Sequence, residues 1–358
     1  MPVLRPEELE RIAVGTFVAA GIPADEARII GRSLVVANLA GHDSHGVIRV
    51  AQYLNAIEKG EVVPGAPFEV LRESPASAVV DAHWGFGQVA ATRAAELAIA
   101  KAEKCSVAGV AVRCSYHVGR LSDYVELAAA RGMVGLMFLN SHGAAHRATP
   151  WGGAQGRLST NPIACALPTG ADPIVVDITT SAVAEGKVRV HHNARKPVPD
   201  GWLIDAEGSP TNDPAALYAT PPGAILPLGG NLGYKGFGLS LMVDLLAGAL
   251  SDAGCSGCAN ARIGNAFLIL VLDLRAFCGP AEFAAHADGL LAWVKSARLA
   301  PGAAEILAPG EIERRETRRR QQEGILVDDG TWGQLREAAA RAGFQPQQHG
   351  WEAANARE

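Results

Sequence analysis

Apolar residues recur every three or four positions over the first sixty residues, a spacing that predicts three helices. The first begins at Pro6, carries acidic residues in its first turn and stops at Gly21. The second covers residues 24–40, and the third covers about 47–59. The N-terminal part of the chain is therefore predicted to form a helical layer.

From residue 78 the pattern changes to short apolar runs that alternate with helical segments, which predicts an α/β core. Strands are predicted at 78–80, 107–112, 133–139, 163–167, 174–178 and 266–272. Helices are predicted at 88–103, 121–131, 238–250, 311–323 and 331–342. Residues 190–231 are rich in Pro, Gly, Asn and Asp, which predicts an irregular excursion over the core.

Composition narrows the class of protein. Hydrophobic residues make up 48% and charged residues 19% of the 358 residues, a globular profile that excludes a disordered chain or a fibre. The net charge of −5 gives no overall positive field for nucleic acid or an anionic membrane, so we expect a small-molecule ligand. No apolar run reaches the roughly 20 residues of a membrane span, and the N-terminus lacks the features of a signal peptide. Six cysteines are too few for a disulfide scaffold, and we expect a cytoplasmic protein.

The glycines at 85 and 87 are the best match to a dinucleotide-binding fingerprint. Gly85-Phe-Gly87-Gln-Val-Ala90 follows an apolar run and opens a predicted helix, as in the G-x-G-x-x-A form. The next strand, however, ends at Val112-Arg-Cys114 without the acidic residue that would hold a ribose. The residues favour an ordinary strand-to-helix turn over a Rossmann site.

The segment Asp43-Ser-His-Gly46, with Arg49 and Tyr53 after it, carries the densest chemistry. On a helix that begins near the glycine, Arg49 and Tyr53 share one face and His45 lies one turn earlier. Arginine offers a bidentate fork to a carboxylate, tyrosine a hydroxyl donor, and histidine a proton near neutral pH. The same residues are also compatible with a helix cap followed by a surface arginine and tyrosine.

A second histidine, His117, lies just beyond the strand predicted at 107–112. Strand ends are where α/β folds place ligands, although a lone histidine there is more often a hydrogen-bonded structural residue. Hydride transfer on a hydroxy or oxo acid requires one proton-transfer group and one orienting group. His45 and His117 together would supply both.

Three further segments, 140–153, 159–162 and 177–181, carry hydroxyl and amide side chains at predicted strand ends. Such side chains bind phosphates, riboses or a carboxamide, and they also make turns and helix caps.

Cys255-Ser-Gly-Cys258 is a single cysteine pair, and no second pair of ligands lies at the spacing of a zinc site. We therefore predict free thiols and no metal site. The arginine run at 314–320 alternates with glutamate, which predicts a salt-bridged, solvated helix.

Taken in order, these segments resemble the malate/L-lactate dehydrogenase type-2 family, which includes sulfolactate, ureidoglycolate and diketogulonate dehydrogenases and cyclic imino-acid reductases. The resemblance runs from the first helix to about Gly343. Besides the segment from Asp43 to Tyr53, it rests on Ser115-Tyr-His-Val-Gly119, Pro150-Trp-Gly-Gly153, Thr160-Asn-Pro162, Val176-Asp-Ile-Thr-Thr180, Glu185-Gly-Lys187, Pro227-Leu-Gly-Gly230, Tyr234-Lys-Gly236 and Ala308-Pro-Gly-Glu311.

The resemblance implies a non-Rossmann dinucleotide-binding α/β core with a mixed sheet, flanked by a helical domain made from both termini. We expect a helical N-terminal domain at 1–75 that packs with C-terminal helices at 305–358, and a central cofactor-binding domain at 76–304. The implied cofactor is NAD or NADP. The implied partners are a small anionic substrate and a second copy of the chain, because the family cleft is completed by the other subunit of a homodimer.

The resemblance also implies roles for individual residues. His45 and His117 would be the proton-transfer and substrate-orienting pair, and Arg49, Tyr53 and Thr160 would bind the substrate. The residues implied to bind the cofactor are Ser44, Gly119, Asn140, Asp177, Ile178, Thr179, Lys235, Gly310 and Glu311.

The implied reaction is hydride transfer between the nicotinamide and C2 of a small 2-hydroxy or 2-oxo acid such as malate or lactate. The alternatives are reduction of a cyclic 2-imino acid and a non-catalytic protein that binds ligands with the same fold. The chain departs from the family pattern at Tyr116, where asparagine is usual, and at Tyr234, where histidine is usual. His142 and His146 are additional histidines near the expected site. These departures leave the identity of the substrate open.

Overall fold

The computed structural model describes residues 1–142, 146–258 and 262–344. Within them the α-helices are α1 (Pro6–Ala19), α2 (Ala24–Leu39), α3 (Arg49–Glu58), α4 (Gly87–Cys105), α5 (Ser122–Ala129), α6 (Glu185–Asn193), α7 (Tyr234–Asp244), α8 (Pro280–Lys295), α9 (Glu311–Glu323) and α10 (Asp329–Arg341). The strands are β1 (Val3–Leu4), β2 (Glu69–Glu73), β3 (Ser77–Asp81), β4 (Val107–Ser115), β5 (Met133–His142), β6 (Ile163–Leu167), β7 (Ile174–Ile178), β8 (Leu203–Ile204), β9 (Pro210–Thr211), β10 (Ala224–Ile225), β11 (Gly264–Asp273) and β12 (Ile325–Leu326).

The core is a seven-stranded mixed sheet in the order β2-β3-β4-β11-β5-β6-β7. β3 and β4 run parallel, and the other neighbouring pairs are antiparallel. β11 lies at the centre because its apolar run, Ala266 to Leu272, suits a strand covered on both faces. The prediction of a mixed α/β sheet is confirmed, and the strand order is not that of a Rossmann fold.

Helices cover both faces of this sheet. α4 and α5 pack on one face, where the many alanines of α4 favour the helix and allow it to approach the strands closely. On the other face, Val243 near the end of α7 packs against Ala111, Phe138 and Leu268 of the sheet. A π-helical turn, Leu245–Ala249, continues α7.

The helical layer joins the two ends of the chain. α1, α2 and α3 share one core with α10, and β1 pairs with β12 in a two-stranded antiparallel sheet. Phe17 and Leu335 are buried members of this core from the two ends. The division into domains remains a prediction, and residues 345–358 of the predicted C-terminal segment lie outside the described residues.

Several elements differ from the sequence prediction. β2 belongs to the main sheet although it falls within the predicted helical domain, and α6 and α8 were not predicted. The excursion at 190–231 is not irregular throughout, because it contains the small antiparallel sheet β10-β8-β9 and a core that includes Leu203 and Leu217. Hydrophobic periodicity misses the strands of this small sheet because each has only two residues.

Among the described residues, no helix has the length and apolar composition needed to cross a membrane.

Candidate active site

A cavity of about 660 Å³, within the usual range for small-molecule sites, is lined by residues from the helical layer and from β7 at the edge of the sheet. Nine of the fourteen residues predicted for the site line this cavity: Ser44, His45, Arg49, His117, Gly119, Thr160, Asp177, Ile178 and Thr179. The wall made by His45, Arg49 and His117 is called the histidine side below. The wall made by Thr160, Asp177, Ile178 and Thr179 is called the β7 side.

The turn that carries His45 is fixed by Asn38 of α2. The side-chain oxygen of Asn38 accepts a hydrogen bond from the backbone N–H of Val47 at 2.9 Å, and its amide donates to Asp43 at 2.6 Å. Gly46 lies against this amide, and a Cβ there would come within 2.4 Å of it. Glycine at this position therefore allows the turn to close on α2.

The same turn is also held by the C-terminal part of the chain. Nη1 of Arg320, on α9, donates to the carboxylate of Asp43 at 2.6 Å and to the backbone oxygen of Asn38 at 2.7 Å. The sequence prediction treated this arginine run as a solvated helix, which is wrong for Arg320 because only 14% of its side chain is exposed. An end of the chain far away in sequence thus stabilises the turn beside the cavity.

Arg49 begins α3 and lines the cavity from the histidine side. Its Nε donates to the backbone oxygen of Ser44 at 2.7 Å, and its Nη1 donates to the side chain of Gln52. These bonds hold the planar guanidinium in one orientation. A fixed guanidinium in a mostly buried position is suited to a carboxylate, which it binds with two parallel hydrogen bonds.

The rings of His45 and His117 stack on one another, with centroids 5.3 Å apart and an interplanar angle of 6°. Burial, together with the positive charge of Arg49, lowers the pKa of His45 to about 3. The same two causes lower the pKa of His117 well below its ordinary value. Both rings are therefore neutral at pH 7, and no charge repulsion opposes their stacking.

Tyr53 lies behind His117 and not in the cavity, which corrects the prediction that it binds the substrate carboxylate. The residue is fully buried, and the rings of Phe86 and Tyr116 pack against it. Its hydroxyl oxygen lies 2.7 Å from Nδ1 of His117 and accepts a hydrogen bond from Nε2 of Gln88 at 2.6 Å. Tyr53 therefore contacts the histidine and does not line the cavity.

The glycine motif at 85–90 packs closely against the chain beyond β4 and does not line the cavity. α4 begins at Gly87, where a Cβ would lie 2.4 Å from the backbone oxygen of Tyr116 and 2.5 Å from that of His117. Glycine is needed because the start of α4 approaches the chain beyond β4 this closely. The contact places Gln88 directly behind His117, in agreement with the preference for an ordinary strand-to-helix turn.

The β7 side is held by hydrogen bonds from neighbouring elements. Oδ2 of Asp177 accepts from the backbone N–H and from the hydroxyl of Ser122, both at 2.9 Å, and so satisfies donors at the start of α5. The backbone N–H of Thr180 donates to the backbone oxygen of Thr160 at 3.0 Å. Ile178 is 44% exposed. This side thus presents a carboxylate, hydroxyl groups and apolar surface to a ligand.

Four residues predicted to bind the cofactor do not line the cavity. Asn140 is buried on the other face of β5, where its amide donates to Asp244 at 2.8 Å. Lys235 is exposed in the first turn of α7. Gly310 and Glu311 lie at the start of α9, beside β7, because the backbone N–H of Val175 donates to the backbone oxygen of Pro309.

Three residues of the site were not found from the sequence. Gln88 was part of the glycine motif, which was weighed as a dinucleotide fingerprint or a strand-to-helix turn, without a role for the glutamine side chain. Asn265 lines the cavity, accepts from the backbone N–H of Val118 and donates to Ser141, and its signal is a polar residue at the start of an apolar strand. Arg120 also lines the cavity and pairs with Asp123 at 2.8 Å.

The additional histidines lie outside the cavity. His142 is buried against the ring of Trp84, and Nε2 of His146 accepts from the backbone N–H of Gly257. The neighbouring residues 143–145 of the loop lie outside the described residues. Cys255 and Cys258 are free thiols, and the described residues contain no group of three or more acidic, histidine or cysteine side chains suited to a metal.

Comparison with known proteins gives a consistent result. The sequence model of the malate/L-lactate dehydrogenase family matches residues 4–336. An L-sulfolactate dehydrogenase from Methanocaldococcus jannaschii is 35% identical and aligns over 96% of this chain and 98% of its own. Hydroxycarboxylate dehydrogenase B from Escherichia coli O157:H7 is 33% identical, over 94% of each chain.

Solved structures agree with the sequence comparisons. A malate/lactate dehydrogenase structure from E. coli superimposes with a TM-score of 0.90, at 32% identity and 97% coverage of both chains. A Δ1-piperideine-2-carboxylate reductase from Pseudomonas syringae superimposes with a TM-score of 0.83, at 31% identity, over 95% of this chain and all of its own. The same fold thus carries proteins described as acting on hydroxy acids and on a cyclic imino acid.

Proposed function

Because the chain belongs to the malate/L-lactate dehydrogenase family, we propose that it transfers a hydride between a nicotinamide cofactor and C2 of a small 2-hydroxy or 2-oxo acid. Family membership makes the protein an oxidoreductase acting on CH–OH donors, as the sequence predicted. The observation that carries the finer proposal is the stacked pair of His45 and His117 beside the guanidinium of Arg49 in one cavity. A group that can transfer a proton and a group that can bind a carboxylate are thereby brought together.

Arg49 is proposed to fix the carboxylate of the substrate. Its guanidinium is held by Ser44 and Gln52, so little side-chain freedom is lost when a ligand binds. Thr160, on the opposite wall, is available to donate a hydrogen bond to the same ligand. A substrate held at both walls presents C2 and its oxygen to the histidine side.

His117 is proposed to transfer the proton, and His45 to orient the substrate and the ring of His117. Tyr53 engages Nδ1 of His117, so Nε2 is the ring nitrogen left for the substrate oxygen. Burial, followed by the charge of Arg49, keeps the pKa of His117 low. A carboxylate bound to Arg49 compensates that charge and raises the pKa of His117. Substrate binding therefore prepares this ring to exchange a proton with the oxygen on C2.

The β7 side is proposed to hold the nicotinamide dinucleotide, NAD or NADP. Asp177 and Thr179 offer a carboxylate and a hydroxyl that suit a ribose, and the exposed Ile178 offers apolar surface to a flat ring. Ser44, from the turn that carries His45, adds a second hydroxyl. A Cβ on Gly119 would meet only the amide of Gln88, at 3.7 Å, so the backbone there is open to a close approach. When bound, the nicotinamide supplies or accepts the hydride, and the protein contributes orientation and charge.

The rest of the dinucleotide is proposed to follow β7 to the start of α9. Gly310 and Glu311 adjoin Val175, two positions before Asp177 in β7. This arrangement keeps the predicted roles of Gly310 and Glu311 at the far end of the cofactor. Lys235 is exposed and precedes Gly236, which lies against the backbone of Leu228 in the cavity wall, so its predicted role is kept as part of the same proposal.

A homodimer with the active site near the interface is also proposed. α8 buries none of its residues within the chain, and Trp293 and Leu290 are 76% and 59% exposed. Leu241 and Leu245, in and after α7, are also exposed, and α7 begins close to the cavity. We expect Trp293→Glu to lower the molar mass measured by light scattering from dimer to monomer. Val18→Glu, at an exposed site on α1, is the matched control that should leave the mass unchanged.

A cytoplasmic location belongs to the same proposal. All six cysteines are unpaired, which is the state expected in a reducing compartment. The small anionic substrate agrees with a positively charged group placed locally at Arg49 in a chain of net charge −5.

The decisive experiment is a panel of substrates and cofactors. NADH or NADPH is mixed with the protein and with mono-, dicarboxylic and sulfonated 2-oxo acids or cyclic 2-imino acids, and loss of the reduced cofactor is followed by absorbance. The expected result is steady turnover with at least one 2-oxo acid. Turnover with cyclic imino acids alone would select the alternative suggested by the likeness to the piperideine-carboxylate reductase. Absence of turnover with the whole panel would favour a non-catalytic binding protein.

A further inference from the structure

Gln88, Tyr53 and His117 form a hydrogen-bonded chain that leads away from the cavity. Nε2 of Gln88 lies 2.6 Å from the hydroxyl oxygen of Tyr53, which lies 2.7 Å from Nδ1 of His117. Gln88 and Tyr53 are 0% exposed, so water does not compete for these bonds. The protonation state of His117 at one end of this chain therefore affects the orientation of the Gln88 amide at the other end.

The direction of the bonds determines which nitrogen of His117 carries hydrogen. When Nε2 of Gln88 donates to Tyr53, the tyrosine hydrogen points to Nδ1 of His117. Neutral His117 then carries its own hydrogen on Nε2. In that state the nitrogen facing the substrate cannot accept a proton, and imidazolium is excluded because Nδ1 must act as an acceptor.

The opposite direction suits catalysis. If Oε1 of Gln88 faces Tyr53, the tyrosine donates to the amide oxygen and accepts from Nδ1–H of His117. Nε2 is then free to take the proton of a substrate hydroxyl during oxidation. During reduction the imidazolium gives that proton from Nε2 to the substrate oxygen and returns to the neutral Nδ1–H form. Both half-reactions thus use this single direction.

The surroundings of Gln88 do not select one direction. Its Oε1 is buried and has no hydrogen-bond partner among the described residues, while Nε2 is used by Tyr53. Rotation of the amide exchanges the two atoms and again leaves one of them unpaired, at a comparable cost. The state of His117 is therefore what decides which end of the amide faces Tyr53.

We propose that Gln88 is a positioning residue whose amide reverses to accept the hydroxyl hydrogen of Tyr53, which makes His117 competent as a base and as an acid. This inference rests on the proposed function, in which His117 transfers the proton. An amide can both donate and accept, and no side chain that only donates or only accepts could serve both the resting and the working state.

Few other groups affect the charge of His117. His45 stacks on it from the turn, and Arg49 and Tyr53 face it from α3. Tyr116 packs against Tyr53 from the end of β4. From α4, the group that reaches this chain is the uncharged amide of Gln88. A change at Gln88 therefore tests the hydrogen-bond direction without removing a neighbouring charge.

The test compares Gln88→Met with Gln88→Glu. Methionine has a similar volume but no strong hydrogen-bonding group, so Tyr53 keeps His117 as its remaining partner and donates to Nδ1. Ionised glutamate is acceptor-only and favours Nδ1–H and imidazolium. We expect Gln88→Met to reduce kcat at neutral pH by about tenfold or more, within the range lost when proton transfer is impaired. The apparent pKa of His117 in the pH profile of kcat should fall in Gln88→Met and rise in Gln88→Glu.

A double-mutant cycle with Tyr53→Phe separates positioning from a general structural effect. Since Gln88 acts through the tyrosine hydroxyl, Gln88→Met should add little further loss in the Tyr53→Phe protein. Equal fold-losses in both backgrounds, or identical pH profiles for the methionine and glutamate variants, would overturn the proposal.

Nitrogen NMR of the histidines in the protein without substrate or cofactor gives a second readout. The resonances of His117, assigned with His117→Asn, report which ring nitrogen carries hydrogen. At fixed pH we expect the Nε2–H form to dominate in Gln88→Met and the Nδ1–H or doubly protonated form to increase in Gln88→Glu. No difference between the variants would overturn the inference. This arm stands even if the substrate panel shows no turnover, which would instead defeat the proposed function. If one variant fails to fold, the other is compared with wild type.

Discussion

The histidine side and the β7 side of the cavity differ in how firmly the protein holds their functional groups. His117 is enclosed by Tyr53 and by the ring of His45, and its protonation is set by buried neighbours. Ile178, by contrast, is 44% exposed on an edge strand, next to hydroxyl groups that also make local turns. The protein thus holds the rings proposed for proton transfer in a fixed geometry, whereas the β7 side leaves its groups open to the proposed cofactor.

Burial explains this difference. Exclusion of water on the histidine side removes competing hydrogen bonds and lowers the pKa values of both histidines. On the β7 side the ligand can replace water at the strand end without reorganising a core. Loss of a group from the first side should therefore affect the rate of reaction, and loss of a group from the second should affect binding.

The largest effect is expected from His117→Asn. Removal of a positioned acid–base group should lower kcat by ~10²–10⁴-fold, while the KM for the cofactor changes little. Steady-state kinetics with the best substrate of the panel measure both quantities. His83→Asn is the matched control, because His83 pairs with Glu69 at an exposed position outside the cavity. Turnover of His117→Asn close to that of wild type would end the assignment of proton transfer to this residue.

A smaller effect, on binding, is expected from Asp177→Ala. Loss of a charged hydrogen-bond acceptor for the cofactor should raise the KM for the cofactor about tenfold and leave the pH profile of kcat unchanged. The alanine also removes the acceptor for the two donors of Ser122. Asp177→Asn is the control for stability, since its amide oxygen can still accept from Ser122. A shifted pH profile in the alanine variant would show that the two sides are not separate in function.

The last effect concerns the stability of the fold at acidic pH and not the reaction. The pKa of His45 falls to about 3 in the folded protein, mainly through burial, while the unfolded chain keeps the ordinary value of 6.5. As pH drops below 6.5, His45 binds a proton in the unfolded state but not in the folded state. The free energy of unfolding therefore decreases until about pH 3. The loss is about 1.4 kcal/mol per pH unit.

Urea unfolding of wild type and His45→Asn at pH 7, 6 and 5 measures the contribution of His45 to this pH dependence of stability. Asp123, whose pKa burial raises to about 6, contributes with the opposite sign below pH 6. It is present in both proteins, so the difference between them isolates His45. The expected result is a shallower loss of stability in the variant, and parallel curves would contradict a buried, neutral His45.

The sequence predicted much of the fold because its long elements have clear periodicity. The helix at 311–323 and the strands at 163–167 and 174–178 have the predicted bounds. β2 and the small strands around Leu203 were missed because they are short or exposed along their length. The start of α7 was placed at 238 and not at Tyr234, because the glycines before it resemble a loop.

Of the fourteen predicted site residues, nine lie at the cavity, among them His45, Arg49 and His117. Tyr53 was assigned to the wrong partner because helical spacing gives the face of a residue but not what packs against it. Asn140 was likewise expected at the ligand, yet its side chain lies on the opposite face of β5. Alternation along a strand shows which side chains share a face of the sheet. Which of the two faces borders the cavity depends on the elements that pack against the strand.

By itself, the sequence determined the order of most long elements, the family and the side chains that we propose for substrate binding and proton transfer. Tertiary structure alone determined that the ring of His45 stacks on that of His117 and that Gln88, Tyr53 and His117 form a hydrogen-bonded chain. It also determined that Arg320 holds the turn at Asp43. The physical reason is that periodicity reports local backbone preference. Burial, pKa and hydrogen-bond direction depend on groups far apart in the chain, which become neighbours only when water is excluded between them.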